Sequence, residues 1–302
     1  MLENKTILLT GPTSQVAFPV AKALAESNTV YGLARLAKES DRERLEKAGI
    51  IPFQADLSVD DFSNLPGTID YVLNFAVIKS SNFEADLAAN AEGVGRLMAA
   101  CADASGFLHC SSTAVYESNG HHPFKETDPL GDNHRVIFPT YSIAKIVAET
   151  VVRFAARQWN IPTIIARLNV PYGNNGGWPL FHLEMMLAGM EIDLHRDKPN
   201  LYNPIHEDDY TRMIPKLLEV ADVPAVTVNW GGSTTVSIED WCGYMGELIG
   251  VEPKFKYGDG SLASVVIDTT RMHELIGRTE VDWRDGMRNL VRTAHPEIEL
   301  RG

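Results

Sequence analysis

Through the first half of the chain, short apolar runs alternate with longer segments whose apolar residues recur at helical spacing. The runs are Thr6 to Thr10 (TILLT), Thr29 to Leu33, Ile50 to Phe53, Ile69 to Phe75 and Phe107 to Cys110. They are short, contain many branched residues and are bounded by turn formers, as buried strands are. Val16, Val20, Ala21 and Leu24 mark a helix after the first run, and an alanine-rich stretch from Phe83 to Asp103 predicts a long helix before the fifth. Another helix opens near Tyr141, followed by strands at Thr163 to Arg167 and Ala225 to Trp230. Such alternation predicts βαβ units and a parallel sheet covered on both faces. Right-handed crossovers then limit the topology to a doubly wound, Rossmann-like α/β fold. Residues 1–171 are expected to form a dinucleotide-binding core. Residues 172–302 are less regular, with strand-like pieces at Glu191 to Leu194 and Lys254 to Tyr257. They read mainly as a smaller C-terminal substrate-binding lobe, with 225–230 returning to the sheet.

Composition narrows the function classes. The chain has 302 residues, 44% of them hydrophobic and 22% charged, which is ample for one or two packed domains. A formal charge of −13 argues against nucleic acid or an anionic membrane as the main partner. No apolar run reaches the length of a membrane helix, and the N-terminus enters a strand without a secretory pattern. Cys101, Cys110 and Cys242 are scattered in apolar surroundings, as reduced thiols of a cytoplasmic protein are. Nine histidines include no pair at helical ligand spacing, so no metal site is expected. His206, Asp208 and Asp209 suit a helix N-terminus instead.

The candidate chemistry lies at the predicted strand ends. Tyr141 and Lys145 are four residues apart and share one helix face. An ammonium beside a phenol is expected to lower the phenol's pKa and make it a proton-transfer group. Ser112, at the end of the fifth strand, is placed to hydrogen-bond a carbonyl or alcohol oxygen; its structural alternative is a strand-end cap. Together the three make a hydride-transfer site for a nicotinamide cofactor. The turn T-G-P-T-S-Q-V-A, residues 10–17, supplies Gly11 for the tight bend, Ser14 where a second glycine is usual, and Gln15 and Val16 at the helix start. Position 34 is Ala where an acid would hold the ribose of NAD, and Arg35, with Lys38 and Arg42 near, suits the 2′-phosphate of NADP. NADP is therefore expected over NAD. Asp56 after the third strand, Phe75 and Ala76 after the fourth, and Lys79 beyond complete the cofactor set. Trp178, Phe181 and His182 are candidates to line a substrate pocket, the alternative being the packed interior of the lobe.

These motifs resemble the extended short-chain dehydrogenase/reductase family, in its NAD-dependent epimerase/dehydratase branch. The carriers are T-G-x-x-S-x-x-A at the start, Ala55-Asp56-Leu57, Asn90-x-x-Gly93, S-S-T-A-V-Y at 111–116, Y-S-I-A-K at 141–145, A-R-L-N-V-P-Y-G at 166–173, N-P-I-H-E-D-D at 203–209 and N-W-G-G at 229–232. The resemblance implies Tyr141 as catalytic acid or base, Lys145 on the nicotinamide ribose, Ser112 as the catalytic hydroxyl and Lys79 on the pyrophosphate. It also implies that Leu57 lies with the adenosine half and that the backbone at Asn169 and Val170 meets the nicotinamide and substrate, with Thr113 beside them. A homodimer packed through the long helix and the Tyr141 helix is a further implication. The chain departs from the pattern at Ala34, in the substrate loop Asn175-Gly176-Gly177-Trp178-Pro179, and in three further places. Thr113 and Ala114 stand where sugar-nucleotide dehydratases carry an Asp-Glu pair. Ser14 replaces a glycine. Arg196 and Lys198 are the only Arg or Lys residues between Met190 and Asn203, where a diphosphate clamp is usual. The expected reaction is NAD(P)-dependent interconversion of a secondary alcohol and a ketone on a small-molecule substrate. The alternatives are a nucleotide-sugar epimerase with tightly held NAD and, supported only by Ser14, a non-catalytic dinucleotide sensor.

Overall fold

In the computed structural model, which describes residues 2–301, seven parallel strands form one sheet. They are β1 (Thr6–Thr10), β2 (Thr29–Ala34), β3 (Ile51–Gln54), β4 (Tyr71–Asn74), β5 (Gly106–Ser112), β6 (Thr163–Leu168) and β7 (Val226–Trp230). Their spatial order is β7-β6-β5-β4-β1-β2-β3. The order reverses between β1 and β4, and a crevice opens at such a switch point beyond the carboxyl ends. Register brings those ends level: Thr10 lies opposite Leu33 and Asn74, and Asn74 opposite His109. Burial explains the unbroken apolar runs. Every residue of β6 is buried, as both faces of a covered parallel sheet require. One face packs against α1 (Ala17–Ala25) through Val20, Ala21 and Leu24; the other face packs against later helices through Val94, Leu97 and Val152.

The expected single helix from Phe83 to Asp103 is three pieces. They are α2 (Phe83–Leu87), a π-helical turn over Ala88–Glu92 and α3 (Gly93–Ala100). The wide turn has identifiable partners. Asn90 turns inward and pairs with both backbone groups of Ile78, at 2.8 Å each. Gly93 lies so close to the Leu57 carbonyl that a Cβ would sit 2.2 Å from its oxygen. The helix α4 (Tyr141–Trp159) starts at Tyr141 itself and ends in a left-handed Asn160. Thr140, just before it, donates its hydroxyl to Asp86 at 2.5 Å, tying the helix start to α2.

Beyond β6, the chain builds a third apolar cluster from α5 (Trp178–Leu187), a helix over Ile238–Ile249 and another over Trp283–Ala294. Gly177, at φ +117°, makes the bend into α5. The helix Glu207–Glu219 is capped by His206, and Asp209 accepts from the backbone of Glu280 and Val281. The loop before α5 also reaches back to the first turn. Asn175 Nδ2 donates to the carbonyls of Gln15 (2.7 Å) and Ser14 (3.3 Å), and Arg44 donates to Asn175 Oδ1 at 2.7 Å. The side chain of Gln15 answers by donating to Pro171 O at 2.9 Å. Among the described residues no helix is long and apolar enough to cross a membrane, and no group of three or more possible metal ligands occurs. The three cysteines are free and buried.

Candidate active site

Two adjoining cavities occupy the crevice. One, of about 270 Å³, runs past Gly11, Ser14, Ala34, Arg35, Asp56, Leu57 and Ala76. The other, of about 310 Å³, holds Ser112, Thr113, Tyr141, Lys145, Val170 and Trp178. Ser14, Phe75 and Val77 line both, so the two form one groove across the strand ends. Gln15, Val16 and Lys79 face the second cavity.

The first cavity has the features of a dinucleotide cradle. Gly11 has φ +69°, and a Cβ there would lie 3.0 Å from Ala76 Cα, so only glycine keeps this wall flat. Thr10 Oγ1 accepts from the backbone N–H groups of Phe75 (3.1 Å) and Ala76 (3.0 Å) and donates to Asn74, which locks the two strand ends together. Ser14 Oγ accepts from the N–H of Ala17 at 3.3 Å, which leaves its proton free to donate into the groove. Arg35 is exposed at the rim. Asp56 is held below its usual carboxylate range, chiefly by the hydroxyl and N–H of Ser58 and further by the Arg35 charge. Asp41 also lines this end, an acidic neighbour that sequence reasoning passed over.

In the second cavity, the first turn of α4 supplies Tyr141, one helical turn before Lys145. The expected lysine effect does not appear. Burial pushes the Tyr141 phenol up to about 12, and only its hydrogen bond with Ser112 works the other way. The reason is where the ammonium goes: Lys145 Nζ donates to the Cys110 carbonyl at 2.7 Å and is itself lowered by burial. Ser112 takes both roles weighed for it. It faces the groove beside Tyr141, and it caps a short 3-10 turn by accepting from Ala114 N at 3.2 Å. Lys79 Nζ sits 4.7 Å from the centre of the Tyr141 ring, over the phenol.

Asn169, Phe181 and His182 have side chains outside the two groove cavities, the last two in an adjoining pocket. The Asn169 side chain is fully buried and spent on protein partners, Thr113 Oγ1 (3.2 Å), Val265 O (2.8 Å) and the N–H of Asn203 (3.0 Å). His182 lines a third space of about 520 Å³, reached from the second cavity past Phe138, Trp178 and Tyr202. There it stacks on Trp241 and accepts that indole's N–H at 3.0 Å, and burial lowers its pKa to about 4.

Sequence reasoning missed His134 as a cavity residue. Its ring centre is 5.9 Å from that of Tyr141. Asn133 Nδ2 donates to the carbonyls of Thr113 and Tyr116, so its Oδ1 meets His134 Nδ1, which must carry the proton. The segment 131–139 has no periodic pattern, and only its nearness to Tyr141 in the chain pointed to the site.

Beneath the groove lies a buried ion pair. Arg167 donates to both oxygens of Glu149, at 2.9 and 2.7 Å, and Ser111 donates to Glu149 at 2.6 Å. Arg167 also reaches Glu126 O at 3.0 Å and lies over the Tyr116 ring. The pair links β5, β6 and α4 directly under Ser112.

The profile described as the NAD dependent epimerase/dehydratase family matches residues 7–231. None of the curated proteins matches the chain in sequence. Solved structures are similar over nearly the whole length. A UDP-glucuronic acid 4-epimerase from Bacillus cereus, in complex with UDP-glucuronic acid and NAD, superposes with a TM-score of 0.83 at 19% identity, covering 97% of this chain and 99% of that one. A UDP-glucose 4-epimerase from Thermotoga maritima, with UDP-glucose, gives 0.81 at 21% identity over 97% and 99%. A dTDP-glucose 4,6-dehydratase from Streptomyces venezuelae, with NAD, gives 0.81 at 19% identity over 96% and 97%.

Proposed function

The chain belongs to the NAD-dependent epimerase/dehydratase family, and from that premise we propose that it interconverts a secondary alcohol and a ketone by hydride transfer. The observation that carries this reading is the convergence of Ser112, Tyr141 and Lys145 in a cavity continuous with the Gly11 groove. The dinucleotide supplies or takes the hydride when bound. Ser112 positions the substrate oxygen. Tyr141, a phenol at neutral pH, gives its proton to that oxygen as a ketone is reduced and recovers one in the reverse direction. Lys145, anchored on Cys110 O, stands beside the reacting groups. Residues 1–171 hold the dinucleotide and 172–302 mainly the substrate. Arg35 and Lys38, both exposed at the adenosine end, support NADP over NAD. We read the protein as cytoplasmic. We also read it as a homodimer through α3 and α4, whose exposed Val147 and Phe154 offer an apolar face.

A second reading, nucleotide-sugar epimerisation with retained NAD, is favoured by the likeness to the UDP-sugar epimerase complexes. Purified protein separates the two. Retained dinucleotide after gel filtration, with UDP-sugar interconversion, supports the epimerase. An empty protein that reduces ketones with added NADPH or NADH supports the oxidoreductase. In either case Tyr141→Phe should lower kcat by about 10²–10⁴-fold while leaving dinucleotide affinity unchanged. A variant with undiminished turnover sinks the assignment.

A further inference from the structure

The third space, beside the reaction cavity, has its own chemistry. It measures about 520 Å³, larger than the reaction cavity, and shares Phe138, Trp178 and Tyr202 with it. Its walls are aromatic and aliphatic. The Tyr202 hydroxyl is occupied by the backbone, donating to Ala263 O at 2.8 Å, so the residue offers the chamber its ring. Trp178 packs edge-on to that ring at 5.4 Å. No lysine or arginine lines the space, and its one carboxylate is Asp193. The cations nearby already have partners, one of them the chamber's own carboxylate. Lys198 lies 3.4 Å over the Tyr257 ring, Arg196 pairs with Asp259, and Lys256 pairs with Asp193 at 3.5 Å. His182, its imidazole kept uncharged by burial, adds no positive charge. At the mouth, Phe181 and Ile137 expose 64% and 47% of their surfaces, an apolar rim continuous with an apolar pocket.

We propose that this chamber receives an uncharged aromatic or bulky aliphatic substituent of the alcohol or ketone, not a nucleoside diphosphate. A diphosphate brings two negative charges that need cationic partners when taken out of water, and the walls provide none. An apolar group gains by burial there at no electrostatic cost. This rests on the hydride-transfer reading only for the identity of the reacting carbon. The chamber places the substituent, and Ser112 and Tyr141 face the oxygen.

The test is equilibrium binding by isothermal titration, in the presence of saturating NADP and, separately, NAD, with naphthyl methyl ketone and with UDP-glucose as probes. Wild type should bind the ketone and show no saturation with UDP-glucose at matching concentrations. Phe181→Asp and Ile137→Asp, both at exposed positions, should each weaken the ketone by about tenfold or more, with circular dichroism unchanged. UDP-glucose binding as tightly as the ketone, no ketone binding by wild type, or ketone binding untouched in both variants would overturn the proposal. Binding needs no turnover, so wild type should bind the ketone whether or not it is reduced. If that pattern holds while no alcohol or ketone is turned over, the chamber assignment stands and the hydride-transfer reading falls.

Discussion

Arg167→Met is a direct test of what holds the floor of the active site. The guanidinium is 2% exposed, makes two hydrogen bonds to Glu149 and a third to Glu126 O. Methionine fills much of the same volume, so cavity terms are small. What remains is a buried carboxylate that has lost its counter-charge, keeping only Ser111 at 2.6 Å and Arg153 at 3.9 Å. Breaking a buried pair from one side costs about 3–5 kcal/mol. Arg153, though distant and more exposed, still offsets part of the Glu149 charge, which places the expectation in the lower half of that range. At roughly 2–4 °C per kcal/mol for a chain above 150 residues, the melting temperature should fall by about 6–16 °C. Urea unfolding followed by tryptophan fluorescence measures the loss. The companion variant, Arg167→Met with Glu149→Leu, removes both charges and should recover most of it, because two apolar residues replace a costly buried pair. A loss under about 1 kcal/mol in the single variant, or a double variant no more stable than the single, would refute the reasoning.

Two other outcomes can be checked without a substrate. His182 has a folded-state pKa of about 4 against 6.5 for an unperturbed imidazole. Between those values the unfolded chain takes up a proton that the folded one refuses, so stability is full above about pH 6.5 and falls as pH drops toward 4. The contribution is on the order of 3 kcal/mol. His182→Gln keeps an acceptor for Trp241, and its urea midpoint should fall less steeply between about pH 6 and 5; equal slopes would count against it. Asn175→Ala removes the bonds to Ser14 O and Gln15 O and should weaken dinucleotide binding by roughly threefold to tenfold in fluorescence titrations, at about 1 kcal/mol for the lost bonds. An unchanged Kd would show that the first turn needs no brace.

Much of this architecture is legible in the chain because buried parallel strands leave unbroken apolar runs. All seven sheet strands lie where the runs predict them, with ends moved by a residue or two. Tyr141 and Lys145 were legible too, since helix spacing alone puts them on one face. What the sequence did not disclose depends on distant partners. The π turn at Ala88–Glu92 follows from Asn90 meeting Ile78 and from Gly93 lying against Leu57, neither visible as a period. The raised phenol of Tyr141 follows from burial and from Lys145 choosing the Cys110 carbonyl. The expectation weighed only the neighbour four residues on. His134 reached the cavity through an Asn133 bridge in a stretch without pattern.

The hydrogen bonds of Asn175 have a consequence for how the two ligands speak to each other. Three residues beyond Asn175 the chain enters α5 at Trp178, a wall of both the reaction cavity and the apolar chamber. The dinucleotide turn and the substrate wall thus hang from one short tether. Where stiffening one end of such a tether stiffens the other, each ligand improves the affinity of its partner, and thermodynamics makes the two factors equal. On such a tether a cofactor event and a substrate event become one coupled event.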